Sequence, residues 1–372
     1  MSRPLQRDPT GVKQLSGISA KSIFVFKNAI FHHLNSRAQP TTTHILPFLL
    51  PLPANSATCP THPFQTQSPY PPFPYTIEPS PGKGLGVFAA HPLERGSIIM
   101  REAPVITITP PKQSPDTDYS LPVISQLVHR EYNHLSEAQK HEVLDLTYSV
   151  LPTDLQRHGS HLDILGLIFR NNAHNAGSKT GSFPTIARIN HSCRPNAAHR
   201  WNEKLKRRSV YATRGIEAGE EIFVSFIPLL LPRGERRKKL ARYGFTCTCP
   251  ACSQHPAELH RSDQSRVDIE HALRALSAQM NLTAPTHASA SLELANLVER
   301  EGLVEYYAQT YWIAAISHAR VGDWEKATVW ANEGYKRQFM EDAESAWTME
   351  MYELTRRAVE NREAGLRSGI VK

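Results

Sequence analysis

Arg188-Ile189-Asn190-His191-Ser192-Cys193-Arg194-Pro195-Asn196-Ala197 sets an amide, an imidazole, a hydroxyl, a thiol and a second amide within one short run, and Pro195 stops any helix that begins there. Composition alone leaves two readings, an ordinary polar loop or a run built for contacts. A second cluster downstream bears on the choice: Cys247-Thr248-Cys249-Pro250-Ala251-Cys252. Three thiols in C-x-C-x2-C spacing are one ligand short of a closed tetrahedral zinc site. By count, Cys193 is the candidate fourth ligand, and His255 is its competitor. The plainer alternative is a set of buried apolar cysteines, which their density beside Pro250 and a basic stretch argues against. With Cys193 as ligand, zinc would tie the segment after Phe245 onto the loop at Asn190 and assemble a site without entering its chemistry.

The chain has 372 residues, a net charge of +7, 28 prolines and five cysteines, with 40% hydrophobic and 21% charged residues. That length allows two or three modules, each with its own core. Four cysteines assignable to one site argue for a metal in a reducing compartment over a disulfide framework. Cys59, in a proline-rich stretch, is left as a free thiol. The most apolar run, Ile45 to Pro53, is short and broken by Pro47 and Pro51, so neither a membrane span nor a membrane partner is expected. Pro9 to Ile77 holds no Asp or Glu but includes Lys13, Lys21, Lys27 and Arg37. An organelle transit peptide and a disordered tail both fit those facts. Residues 1–76 are expected to be a disordered, proline-rich arm.

Beyond the arm, Pro81-Gly82-Lys83-Gly84-Leu85-Gly86 leads into short β runs at Val87–Ala89, Ser97–Met100 and Ala103–Ile108. The glycines satisfy neither Gly-x-Gly-x-x-Gly nor a P-loop. They read as a turn, and they would also let a ligand lie against bare backbone. From Ser120 to about Asn175 the pattern is helical, with a capping box at Ser136-Glu137-Ala138-Gln139 and an apolar face at Ile164, Leu165, Leu167 and Ile168. A hairpin over Ala198–Trp201 and Ser209–Ala212 follows, then a turn at Gly215–Glu220 into a strand from Glu221 to Phe226. Arg233–Tyr243 reads as a short basic helix. Beyond about Val267 all is helical, with Tyr307, Tyr311, Ala314, Ala315 and His318 on one face and a break at Gly322-Asp323. Two such helices resemble one tetratricopeptide unit, without a clear 34-residue period.

In their order and context these motifs resemble those of SET-domain protein lysine methyltransferases. The segments that carry the likeness are Pro81–Ala89, Arg188–Ala197, Gly219–Phe226 and the C-x-C-x2-C tail, strongest over residues 75 to 255. The likeness is closest to the SET-and-MYND group, because a helical insert divides the β region and helices follow the cysteines. The MYND zinc module itself is missing, since Arg101 to Arg188 contains no cysteine. The resemblance implies an α+β fold: a β-rich SET domain with a knot-like core at 77–228, its helical insert at about 118–178. A post-SET basic helix and zinc site would occupy 229–256, and a C-terminal helical, tetratricopeptide-like region 262–362.

The same resemblance implies S-adenosylmethionine as cofactor. It would lie against Lys83, Gly84 and Leu85, with Asn190 and His191 at its amino-acid end, Phe245 at its adenine and Asn172 contributing from the insert. Zn²⁺ would be held by Cys193, Cys247, Cys249 and Cys252. The substrate would be a protein lysine, of a histone or another protein, and the chain a monomer. The nucleus or cytoplasm is the expected compartment, with the mitochondrion as the alternative. One departure stands at the catalytic position: the family's motif ends in tyrosine, and this chain has Phe226. Either another hydroxyl, Tyr148 or Tyr243, compensates, or the chain is a catalytically impaired SET protein that binds partners. Val224 stands where an aromatic residue often limits methylation number, so its small side chain hints at higher methylation. Lys204, Lys206, Arg207, Arg208 and the stretch from Arg233 to Arg242 read first as a solvated hairpin tip and helix face, and would also suit nucleic acid or an acidic protein.

Overall fold

Strand β1 begins at Tyr75, two residues before the boundary expected from the sequence, because its backbone pairs with a second strand back to that point. The computed structural model describes residues 73–110, 120–159, 161–279, 283–343 and 345–367. The expected arm up to residue 72, with Cys59, lies outside the described residues. Those described belong to one unit, Pro69–Lys112 with Tyr119–Lys372.

β1 (Tyr75–Ser80) and β2 (Gly84–Ala89) form an antiparallel hairpin in register from Tyr75↔Ala89 to Ser80↔Gly84. Gly82 and Gly84 sit at φ +72° and +79°, a backbone state that L side chains avoid. β3 (Ile98–Glu102) and β4 (Ile106–Ile108) come next. The expected run from Ala103 shortens at Pro104, which has no N–H for a ladder. Helices α1 (Leu121–Tyr132), α2 (Glu137–Leu144), α3 (Pro152–His158) and α4 (Ile164–Asn172) make the insert. The Ser136 capping box is formed, its hydroxyl accepting from the Gln139 N–H at 3.3 Å. Helix stops at Asn172, short of residue 178. There β5 (Ala173–Ala176) and β6 (Lys179–Ser182) turn back on each other at Gly177, φ +74°.

The chain then lays down β7 (Asn190–His191), β8 (Ala197–Asn202), β9 (Arg207–Ala212) and β10 (Glu221–Val224). Among the described residues three sheets result, in orders β1-β2-β10-β7, β3-β9-β8 and β4-β6-β5. β7 and β10 are parallel, Asn190 opposite Phe223 and His191 opposite Val224. Asn196 locks this pairing: its Oδ1 accepts from Phe223 N–H at 2.7 Å, and its Nδ2 donates to the Glu221 carbonyl at 2.9 Å. β10 ends at Val224, before the expected Phe226, because Ser225 turns the chain by bonding forward to Ile227. Val87, Ile99, Phe183, Ile189, Val210 and Ile222 fill the core between these strands.

α5 (Arg233–Leu240) precedes the cysteines, and α6 (Pro256–Ala278) starts immediately after them, earlier than the helical pattern suggests. α7 (Pro285–Arg300), α8 (Tyr307–Arg320), α9 (Trp324–Asp342) and α10 (Ala346–Arg367) complete the described chain. α8 buries Tyr311, Ala314, Ala315 and His318, four of the five residues expected on its inner face. Gly322 at φ +77° ends it, and Asp323 caps α9 by accepting the Lys326 N–H. The cysteine segment and these helices share one core, in which Cys193, Cys247, Cys252 and Leu240 pack with Ile269, Leu294, Val298 and Ile313. Packing therefore continues across the 256–262 boundary. Farther along, Arg200 pairs with Asp342, and a Cβ on Gly96 would lie 2.7 Å from the Met340 sulfur. Among the described residues no helix is long and apolar enough to cross a membrane.

Candidate functional site

Asn190 and His191 are neighbours on a strand, so their side chains leave on opposite sides. The Asn190 amide turns toward the glycine hairpin, where Nδ2 donates to the Leu85 carbonyl at 3.0 Å and to Glu221 Oε1 at 2.8 Å. The other Glu221 oxygen accepts from Lys83 Nζ at 2.8 Å and from the Ser80 hydroxyl at 3.0 Å. Lys83 also sits 4.6 Å above the Phe223 ring. A carboxylate with an 11% exposed side chain thus fixes the hairpin, Lys83 and Asn190 together. Gly86 makes this possible: a Cβ there would come within 2.7 Å of Glu221 Oε1 and 3.2 Å of Asn190 Nδ2. On this side of the strand Leu85 remains 39% exposed.

His191 points the other way and is 4% exposed. Its Nδ1 accepts the Phe226 backbone N–H at 3.1 Å, which places the ring proton on Nε2, 3.3 Å from Cys193 Sγ. Burial pushes the imidazole down to about 4, the Cys249 sulfur opposing and Arg236 adding to the shift. The His191 ring lies 5.4 Å from Phe226 and 6.2 Å from Phe245, and Phe226 lies 5.2 Å from Tyr243. The Tyr243 hydroxyl donates to the Phe226 carbonyl at 3.5 Å, and burial pushes that phenol up. Of the two hydroxyls named from the sequence, that of Tyr243 therefore lies on the Phe226 backbone, while Tyr148 is 42% exposed.

Asn172 reaches this group indirectly. Its Nδ2 donates to the carbonyls of Thr147 at 2.7 Å and Ile168 at 2.9 Å. The next residues on that segment meet the turn before Phe245, where the Ser149 hydroxyl donates to the Arg242 carbonyl at 2.7 Å. Gly244, φ +80°, fits there because a Cβ would approach Ser149 Cβ to 3.0 Å. Asn172 therefore holds the wall beside Phe245 through its Nδ2.

The sulfurs of Cys193, Cys247, Cys249 and Cys252 all lie within 4.8 Å of one another, with Cys193 and Cys252 at 3.6 Å. Around a tetrahedral zinc with bonds of about 2.3 Å, sulfurs lie about 3.8 Å apart. Donor type, number and spacing fit a structural zinc ion. Hydrogen bonds to the other three thiols push Cys193 up, while hydrogen bonds from those three hold Cys249 down. Four thiols share one buried space without room for four separate anions, a conflict that a dication removes. His255, the competing ligand, is exposed and outside the group.

Three residues of this neighbourhood escaped the sequence reading. Glu221 stood in a quoted motif without a role, and only the sheet pairing reveals its partners. Arg236 and Arg266 were hidden among ordinary helical charges. Arg236 is fully buried, so the basic stretch from Arg233 is only partly a surface. Within the other basic group Arg208 is 7% exposed, and burial pushes it down to about 9.

Residues 84–227 match the SET domain family. Over 70% of its length the chain is 28% identical to the histone-lysine N-methyltransferase set5 of Schizosaccharomyces pombe, covering 77% of that protein. It is 38% identical to the human N-lysine methyltransferase SMYD2 over 23% of this chain and 19% of that one, so it spans under a fifth of that relative. Among solved structures, the Neurospora SET domain protein DIM-5, a histone lysine methyltransferase, is 19% identical over 43% of this chain and 54% of that one. Its TM-score of 0.22 is too low to bear on function.

Proposed function

Because residues 84–227 of this chain are a SET domain, we propose that it is an S-adenosylmethionine-dependent protein-lysine N-methyltransferase held together by a structural zinc ion. The observation that carries this reading is the two-sided strand β7, with Asn190 tied to the glycine hairpin and His191 packed against Phe226. S-adenosylmethionine supplies a methyl group on a sulfonium sulfur for in-line displacement by an amine. It would lie against Lys83, Gly84 and Leu85, with Asn190 and His191 at its amino-acid end, Phe245 against the adenine and Asn172 contributing from the insert. Zinc would sit among Cys193, Cys247, Cys249 and Cys252 as a brace.

What the chain supplies is position and dryness. A lysine amine with a pKa near 10.4 must lose a proton to act as nucleophile, which at pH 7 costs about 4 to 5 kcal/mol. An apolar surrounding favours the neutral amine, and the rings of Phe226, Tyr243 and Phe245 provide one. The Tyr243 hydroxyl, held at the Phe226 carbonyl, is the polar group left to orient the reactants. Val224, buried in the core where an aromatic residue often limits methylation number, would allow more than one methyl. The proposed substrate is a histone or other protein lysine met in the nucleus or cytoplasm.

The second reading rests on Phe226, which lacks the family's hydroxyl and would leave an impaired, partner-binding protein. Labelled cofactor and a lysine-rich protein mixture decide between the two. Turnover by the wild type, lost by about 10²–10³ in Tyr243→Phe, is the result expected of an enzyme. Activity confined to Phe226→Tyr would establish the impaired protein instead.

A further inference from the structure

Four thiolates around a dication keep two net negative charges, and this cluster is buried beside two fully buried guanidinium groups. Arg236 on α5 points Nη2 at Cys252 Sγ, 3.9 Å away, and its Nη1 donates to Asp263 Oδ1 on α6 at 3.3 Å. Arg266, one turn along from Asp263, donates to the Leu229 carbonyl at 2.6 Å and to the carbonyl of Cys193 itself at 3.1 Å. Behind it Glu301, just past α7, accepts from Ser262 at 2.7 Å and from Arg194 at 3.2 Å. Three of these contacts, Arg236 to Asp263, Arg266 to the Cys193 carbonyl and Arg194 to Glu301, join the cysteine region and the Cys193 loop to the C-terminal helices. Neither Arg236 nor Arg266 is a ligand, and no surface role is open to a side chain without exposure.

We propose that Arg236 and Arg266 are positioning residues that clasp the metal-loaded thiolate cluster to the C-terminal helices, so that metal retention and helix docking depend on each other. Arg236 offsets the charge at the Cys252 sulfur, and Arg266 fixes the backbone of the Cys193 ligand loop against α6. The inference rests on the zinc reading above.

The test uses the full chain. Elemental analysis first counts zinc; a chain that binds none overturns both the zinc reading and the clasp. With one zinc bound, release to excess chelator is followed by a chromophoric indicator. Arg236→Gln is expected to release zinc about 10- to 100-fold faster, the usual effect of losing a group behind the ligands, with Arg236→Lys much nearer wild type because it keeps the charge. Equal rates in wild type and Arg236→Gln, or equal acceleration by Lys and Gln, overturn the clasp while leaving zinc in place. Should the Gln variant not fold, the wild type decides. Stripping its zinc is expected to raise amide hydrogen exchange in α6 and α7 more than in α10, and exchange unchanged in α6 overturns the proposal.

Discussion

At Gly86 a single carbon atom decides the face on which the cofactor is proposed to lie. Its missing Cβ leaves the space in which Glu221 meets Asn190, so Gly86→Ala must push that carboxylate aside. We expect about 1–3 kcal/mol of destabilisation by denaturant unfolding, with S-adenosylmethionine binding by calorimetry lost in the same variant. Glu221→Gln separates the two effects. It keeps the shape but loses the charge that holds Lys83, so cofactor affinity should fall about tenfold while unfolding moves little. An unchanged affinity would remove Glu221 from the cofactor site. The sequence pointed to Asn190, His191 and the glycine turn through the resemblance that their motifs carry; by residue type alone they also read as a polar loop and a turn. It left Glu221 silent because an acid in a Gly-Glu-Glu turn reads as ordinary until the strands pair.

At the scale of elements, the cysteine segment contains little regular structure, only one turn of 3-10 helix at Pro250–Cys252. Its order must come from side chains. Cys193→Ser should therefore lose bound zinc and lower the unfolding midpoint as far as Cys249→Ser does, whereas His255→Ala should change neither. A Cys193 variant that keeps full zinc would break the four-thiolate assignment. Local chemistry made this element readable: the C-x-C-x2-C spacing and the lone thiol at Cys193 are facts of order along the chain. The ends of other elements were less readable. Helix α4 stops at Asn172 because β5 finds a partner in β6, and β10 stops at Val224 because Ser225 bonds forward. Those are choices made by neighbours distant from any local pattern.

For the molecule as a whole, the cysteines and the C-terminal helices share a core in which Cys193 and Leu240 pack with Ile269, Leu294 and Ile313. The Arg200–Asp342 pair and the Gly96–Met340 contact add a second seam. The described chain should therefore unfold in one cooperative transition, with zinc release coincident with it. Calorimetry resolving a separate early transition for the helices would show them to be an independent domain. Weakening the second seam by Asp342→Ala, a partly exposed pair, should cost at most about 1 kcal/mol.

The sequence by itself determined the chemistry: which groups gather in the Asn190 loop, how many thiols a metal would find, that a helical insert divides the strands, and that phenylalanine stands at position 226. Such properties follow from residue type and spacing, which survive in a linear string. Only the tertiary structure decided which hydroxyl stands beside Phe226, that Glu221 joins Lys83 to Asn190, and that Arg236 and Arg266 lie buried against the cysteines. These depend on chain segments far apart in sequence meeting in one core, where burial turns an ordinary charge or hydroxyl into one with a fixed partner.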